Sequence, residues 1–170
     1  MDKQLPAFDQ VVALLGSPKP PLICRVIELE GGIEKRSARV IFDGQSGWFI
    51  EEGERIELRS TDERVLLDEG GFLRCLPPRA HVNAWVKTPI QGDRMSLDQT
   101  TGRVVGREEV DGRTAVVTEF AGLRSGDDSV LVLFVDVETG VVLQMSSEDG
   151  GVILRLEDLR VCTVQDPLGT

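Results

Sequence analysis

His81 is the only histidine of the chain, and it follows Cys75 by six residues. A Cys/His nucleophile pair needs the two side chains within hydrogen-bond reach and the thiolate stabilised. The spacing permits that contact without imposing it, and a loop histidine near a buried thiol is the simpler reading. Acid–base chemistry needs two carboxylates in unlike environments, one of them desolvated. Asp136 is the best placed, because it ends the most apolar segment of the chain. Capping a turn is its simpler role. With Arg107, these residues form the polar set that a small enzyme would use. Asp127-Asp128 and Glu148-Asp149 lack the alternating oxygen ligands of a calcium loop and read as solvated charges.

Cofactor chemistry finds no motif. Gly31-Gly32, Gly70-Gly71 and Gly150-Gly151 stand between strand-like segments and are not phosphate loops. One histidine and no CxxC give no zinc pattern, so neither a cofactor nor a metal is expected. Cys24, Cys75 and Cys162 are odd in number and each sits in an apolar run, which predicts buried free thiols.

Charge narrows the partners. The 170 residues carry a formal net charge of −10. Such a surface repels phosphate, and the best basic cluster, Lys35-Arg36 with Arg39, lies among Glu28, Glu30 and Glu34. Aromatics are only 5%, too few for a base-stacking platform. Nucleic acid is therefore not an expected partner. No segment approaches the ~20 apolar residues of a membrane span. No signal peptide is visible, so the chain as it stands reads as cytoplasmic, and as periplasmic only if a leader has been removed.

The elements that would position these residues are mostly strands. Residues 6–16 predict a short amphipathic helix, with Phe8, Val11, Val12 and Leu15 on one face and Gly16 then Pro18 at its end. Strands are expected over 22–30, 37–43, 48–50, 55–59, 63–68 and 71–76, with hairpin turns at Glu52-Gly53 and Glu69-Gly70-Gly71. Pro77-Pro78 and Pro89 interrupt the rhythm, so 77–93 is expected to be a loop or short helix over one end of the sheet. Strands resume at 94–98, 103–110, 114–120, 130–137, 141–145 and 152–156, with 161–164 as one more. Turns at Asp111-Gly112, Glu138-Thr139-Gly140 and Asp149-Gly150-Gly151 make this half an antiparallel meander. Val130–Val135 shows no alternation, which predicts burial on both faces at the centre of the sheet. One domain over 1–170 is expected, α+β and mainly antiparallel β: a curved sheet, or half-barrel, covered by the helix.

Asp-x-x-Thr-Gly-x-Val occurs at 98 and again at 136. Repeated turn chemistry explains it: Asp accepts nearby backbone N–H groups and Gly takes a positive φ. Phe42, Trp48, Phe49, Phe72, Phe120 and Phe134 would either line a cavity on the concave face or pack under the helix.

In order, the helix, Arg39-Val-Ile-Phe-Asp-Gly-Gln-Ser-Gly-Trp-Phe-Ile50, the Gly106–Val117 segment and Val135-Asp-Val-Glu-Thr-Gly-Val-Val-Leu143 resemble the LolA/LolB/RseB-like lipoprotein-carrier superfamily. The resemblance covers most of the chain and implies a half-barrel wrapped over helices. It also implies an acyl chain or a protein partner in the concavity. The expected function is a non-enzymatic module holding a hydrophobic small molecule or apolar partner segment there. The alternatives are an interaction or regulatory module acting through sheet edges or as a homodimer, and a small enzyme of the same fold.

Overall fold

The computed structural model describes residues 4–42, 44, 48–52, 55–59, 65–68, 71–74, 88–90, 100–122, 129–161 and 164–165. The chain opens with α1 (Phe8–Leu15), whose first turn is capped by Gln10 Oε1 accepting the Ala7 N–H at 2.8 Å. Four strands follow: β1 (Leu22–Glu30), β2 (Ile33–Phe42), β3 (Trp48–Glu52) and β4 (Arg55–Arg59). A short hairpin, β5 (Val65–Asp68) and β6 (Gly71–Arg74), precedes a second run of five. These are β7 (Thr101–Val110), β8 (Arg113–Ala121), β9 (Val130–Asp136), β10 (Val142–Ser147) and β11 (Val152–Val161), before a terminal β12 (Val164–Gln165). The side chains of Phe49 and of β4, β5, β6 and β12 lie outside the described part.

Nine strands form one open antiparallel sheet in the order β4-β3-β2-β1-β11-β10-β9-β8-β7, and β12-β5-β6 form a second sheet. Each half of the large sheet is a meander of neighbouring hairpins. The halves meet at the β1–β11 pairing, where Val26 lies opposite Leu156. The fold class read from the sequence is thus correct, and so is the turn chemistry at Asp111-Gly112; in the predicted turns at Glu52-Gly53 and Glu69-Gly70-Gly71, Gly53, Glu69 and Gly70 lie outside the described residues. Asp111 and Gly112, at φ 50° and 79°, form a primed hairpin turn that matches the strand twist.

The expectation for Val130–Val135 needs correction in two respects. Leu131, Leu133 and Val135 are buried, but Val130, Val132 and Phe134 are only half-buried, so β9 is an ordinary alternating strand. β11 stands at the middle of the strand order, and β9 does not. Burial on both faces belongs instead to β1 and β2. Leu22, Cys24 and Val26 share one face with Phe42, Val40 and Ala38. Ile23, Ile27 and Ile41 alternate with them and are buried too. An apolar run without alternation marks a buried strand only if a layer reaches its second face; β9 gets no complete cover.

The Asp-x-x-Thr-Gly echo is not a structural repeat. Gly140 has φ 75° at the end of the β9–β10 turn, whereas Thr101-Gly102 lie inside β7. The predicted strand 94–98 and the predicted helix or loop at 80–87 fall outside the described residues. Residues 88–90 are helical, and Ile90 is buried in the core. Among the described residues, no helix is long and apolar enough to cross a membrane.

Gly140 and Gly112 separate backbone strain from crowding. A Cβ on Gly140 would lie 2.4 Å from the Leu14 carbonyl oxygen, whereas one on Gly112 would meet nothing within 4 Å. Gly112→Ala should lose about 1 kcal/mol, from the left-handed backbone alone. Gly140→Ala should lose about 3 kcal/mol, because α1 must also give way. Urea unfolding of both variants, with unchanged m-values, measures the difference.

Candidate functional site

The face of the large sheet that carries α1 is the candidate site. An eight-residue helix makes about two turns and is not stable by itself, so packing must hold it. Val11 and Leu15 are each 1% exposed in the core, with Phe8, Val12 and Leu14 packed against it. Phe8 meets Phe120 of β8 with ring centroids 5.1 Å apart. Gly102 of β7 lies opposite Phe120 and leaves room for that ring: a Cβ there would stand 2.7 Å from Phe8 Cε2. At the other end the Leu14 carbonyl abuts Gly140. The seat of α1 is therefore shaped by two glycines, one at each end.

The C-terminus of α1 is closed by Lys19. Its ammonium donates to the carbonyls of Leu15 at 2.7 Å, Ser17 at 2.6 Å and Leu14 at 3.3 Å. The Leu14 and Leu15 carbonyls belong to the last turn of α1, whose acceptors have no partner within the helix, and a cation there also suits the helix dipole. Lys19 is only 7% exposed, and its burial pushes the ammonium pKa down to about 8.

Beneath the helix the floor is apolar, with one exception. Val116, Leu133, Met145, Leu143 and Leu156 are buried in the same cluster as Val11 and Leu15. The Thr118 hydroxyl is fully buried among them and has no hydrogen-bond partner.

The aromatic residues singled out in the sequence divide between the two faces. Phe42 and Trp48 stack with centroids 4.5 Å apart and are buried. They and Phe120 belong to the core cluster that includes α1. Phe134 pairs with Val117, one step out of phase with Phe120, so it projects from the opposite face and is half-buried. Phe49 and Phe72 lie in β3 and β6 with side chains outside the described part.

Of the polar candidates, Arg107 and Asp136 are described, and each has its own partners. Arg107 is on exposed β7, donating to the Gln4 carbonyl at 3.4 Å. Asp136 is fully buried at the β9–β10 turn. Its Oδ2 accepts the Thr139 N–H at 3.2 Å, the Thr139 hydroxyl at 2.6 Å and Arg113 Nη1 at 3.0 Å. Asp136 is thus a turn cap and half of an ion pair. His81, Cys75 and Cys162 lie outside the described residues. Cys24 is buried, which pushes its thiol up to about 12, so it does not form a thiolate near neutral pH. Lys35 and Arg36 pair with Glu28 and Lys35 also with Glu30, as a solvated strand face would.

What the sequence reading missed is Lys19 and the glycine seat. Lysine is almost never fully buried without a partner, and nothing in Pro18-Lys19-Pro20 announces one. The position of Lys19, three residues after the end of the predicted helix, was the available signal.

No protein-family model matches the chain, and no curated protein matches it in sequence. Among solved structures, MucB aligns over 94% of this chain and 60% of its own length, with 15% identity and a TM-score of 0.50. The chain therefore spans well under two thirds of MucB. A LolA superfamily protein from Nitrosomonas europaea aligns over 97% of this chain and 98% of its own, at 10% identity and TM-score 0.32. The Mycobacterium tuberculosis lipoprotein LppX aligns over 88% and 94%, at 10% identity and TM-score 0.36. The likeness is one of fold alone: the chain shares the fold of MucB.

Two measurements follow from the anchoring groups. Asp136→Asn keeps an acceptor for the Thr139 N–H but gives up the charge opposite Arg113. It should lose about 2 kcal/mol in urea unfolding, below the usual range for a broken buried pair because Arg113 is 19% exposed. For Lys19, the folded chain sheds the proton near pH 8 and the unfolded chain near 10.5. Between these values the unfolded state holds more protons, so stability rises with pH across that window. Lys19→Met should lack this rise when unfolding free energies of the two proteins are compared from pH 7 to 11.

Proposed function

We propose that this chain is a non-enzymatic binding module. Its concave face takes up an acyl chain or the apolar segment of a protein partner, at the place α1 now fills. The observation that carries this reading is the cover itself: an extensive apolar floor closed by one helix of eight residues. The floor supplies a buried hydroxyl, Thr118, that α1 leaves without a partner. An occupant bringing a carbonyl or headgroup acceptor would satisfy it. Sites of this kind are mostly apolar with a few convergent polar groups.

If α1 competes with the occupant, weakening α1 raises apparent affinity. The gain is about tenfold for each 1.4 kcal/mol removed from α1 docking, up to the point where the face is fully open. Phe8→Ala, which loses the Phe120 contact, should therefore bind a fluorescent fatty acid more tightly than wild type. Native mass spectrometry of the purified protein should show a co-purified lipid or peptide adduct. Absence of any adduct, with no probe binding to wild type or Phe8→Ala, would sink the proposal.

A further inference from the structure

The open edge at β7 offers a second surface, independent of what α1 covers. β7 is ten residues long and ends the large sheet; among the described residues it is paired with β8 alone. Its outer row of backbone N–H and C=O groups therefore has no described strand beside it. Such edges are usually guarded by prolines, charges or bulges, and β7 carries a bulge at Val105. β7 has no proline, and its charges, Arg103, Arg107, Glu108 and Glu109, are mixed and sum to zero. Two of the exposed large apolar side chains lie here. Val105 is 51% exposed on the strand, and Leu5, 41% exposed, follows Gln4, which Arg107 ties to β7.

The register matters more than the composition. Val105 is an extra residue, a bulge between the Val104–Thr118 and Gly106–Val117 pairs. Residues five apart on a regular strand point to opposite faces, but a bulge between them restores the same face. Arg103 pairs with Glu119 and Glu108 with Ala115, which are four apart on β8, so Arg103 and Glu108 do share a face. Among the described residues, Arg103 is engaged by Glu119 and Glu108 has no partner.

We propose that β7 is a homodimer edge, in which a second copy of this chain adds its own β7 antiparallel about a two-fold axis between Val105 and Gly106. That register places Arg103 of each copy beside Glu108 of the other, on the same face, twice over. It joins the two nine-stranded sheets into one. Opposite charges directly across strands stabilise the pairing, and like charges oppose it. A single pair of strand edges covers less than the ~800 Å² per partner of a standard interface, so the dimer is weak and depends on concentration.

Sedimentation equilibrium over a dilution series tests this. The mass should rise with concentration from 18.7 kDa toward twice that value. Glu108→Arg, which disturbs no ion pair or hydrogen bond among the described residues, should abolish the rise and leave the unfolding midpoint unchanged. Arg103→Glu should be monomeric as well, and an equimolar mixture of the two variants should regain the dimer, since every cross-strand pair is again opposite in sign. A monomer at every concentration overturns the proposal, as does a dimer that Glu108→Arg leaves intact. If Arg103→Glu unfolds through loss of Glu119, the wild-type and Glu108→Arg series still decide.

Discussion

One guanidinium holds the second half of this sheet in shape. Arg113 begins β8, and its Nη1 reaches Asp136 at the end of β9 and Glu138 in the turn beyond, while its Nε donates to the Leu159 carbonyl on β11 at 3.4 Å. β8 and β11 are separated in the sheet by β9 and β10. They touch because β11 runs past the β9–β10 turn and the β7–β8 hairpin tip folds over it. Asp111 in that tip completes the contact by accepting the Asp158 N–H at 2.8 Å. Asp158 has φ 54° and sits where β11 slips register against β1, so the tip supports an unfavourable backbone conformation. Curvature, the bulge and the buried carboxylate are parts of one arrangement.

α1 depends on that arrangement from the other side. The turn that Asp136 caps also presents Gly140 to the Leu14 carbonyl. A single methyl on Gly140 would collide with that carbonyl. The helix is too short to persist unaided, so its position reports the shape of the sheet rather than its own propensity. Lys19 contributes less than an exposed cap would, because burying its charge costs part of what its three hydrogen bonds return.

Local chemistry was legible in the residues. β1 and β4 have the predicted bounds, and α1 differs from its prediction by two residues at the start and one at the end. Gly31-Gly32, Asp111-Gly112 and Gly140 announce positive φ, and the structure has it at each. Asp136 reads as a turn cap and is one. Long-range facts were not legible. The β1–β11 pairing has no local signature, so the middle of the sheet was assigned to the most apolar strand instead. The tolerance of Gly102 for Phe8, and the positive φ of Asp158 within a strand, depend on neighbours distant in sequence. The expected function was carried by resemblance and by missing motifs, and the residues offered for it divide between the two faces of the sheet.

The join between the halves also dictates the order in which the chain acquires its structure. Of the described strands β1 is made first, and its partner β11 nearly last. Until β11 is made, Val26 and Ile27 can pair with β2 alone, and one edge of β1 stays open. Closing so large a loop is slow, and unpaired apolar strands recruit wrong partners meanwhile. The N-terminal meander of a growing chain is therefore the segment most exposed to aggregation, and release of the C-terminal strand is the event that ends the exposure.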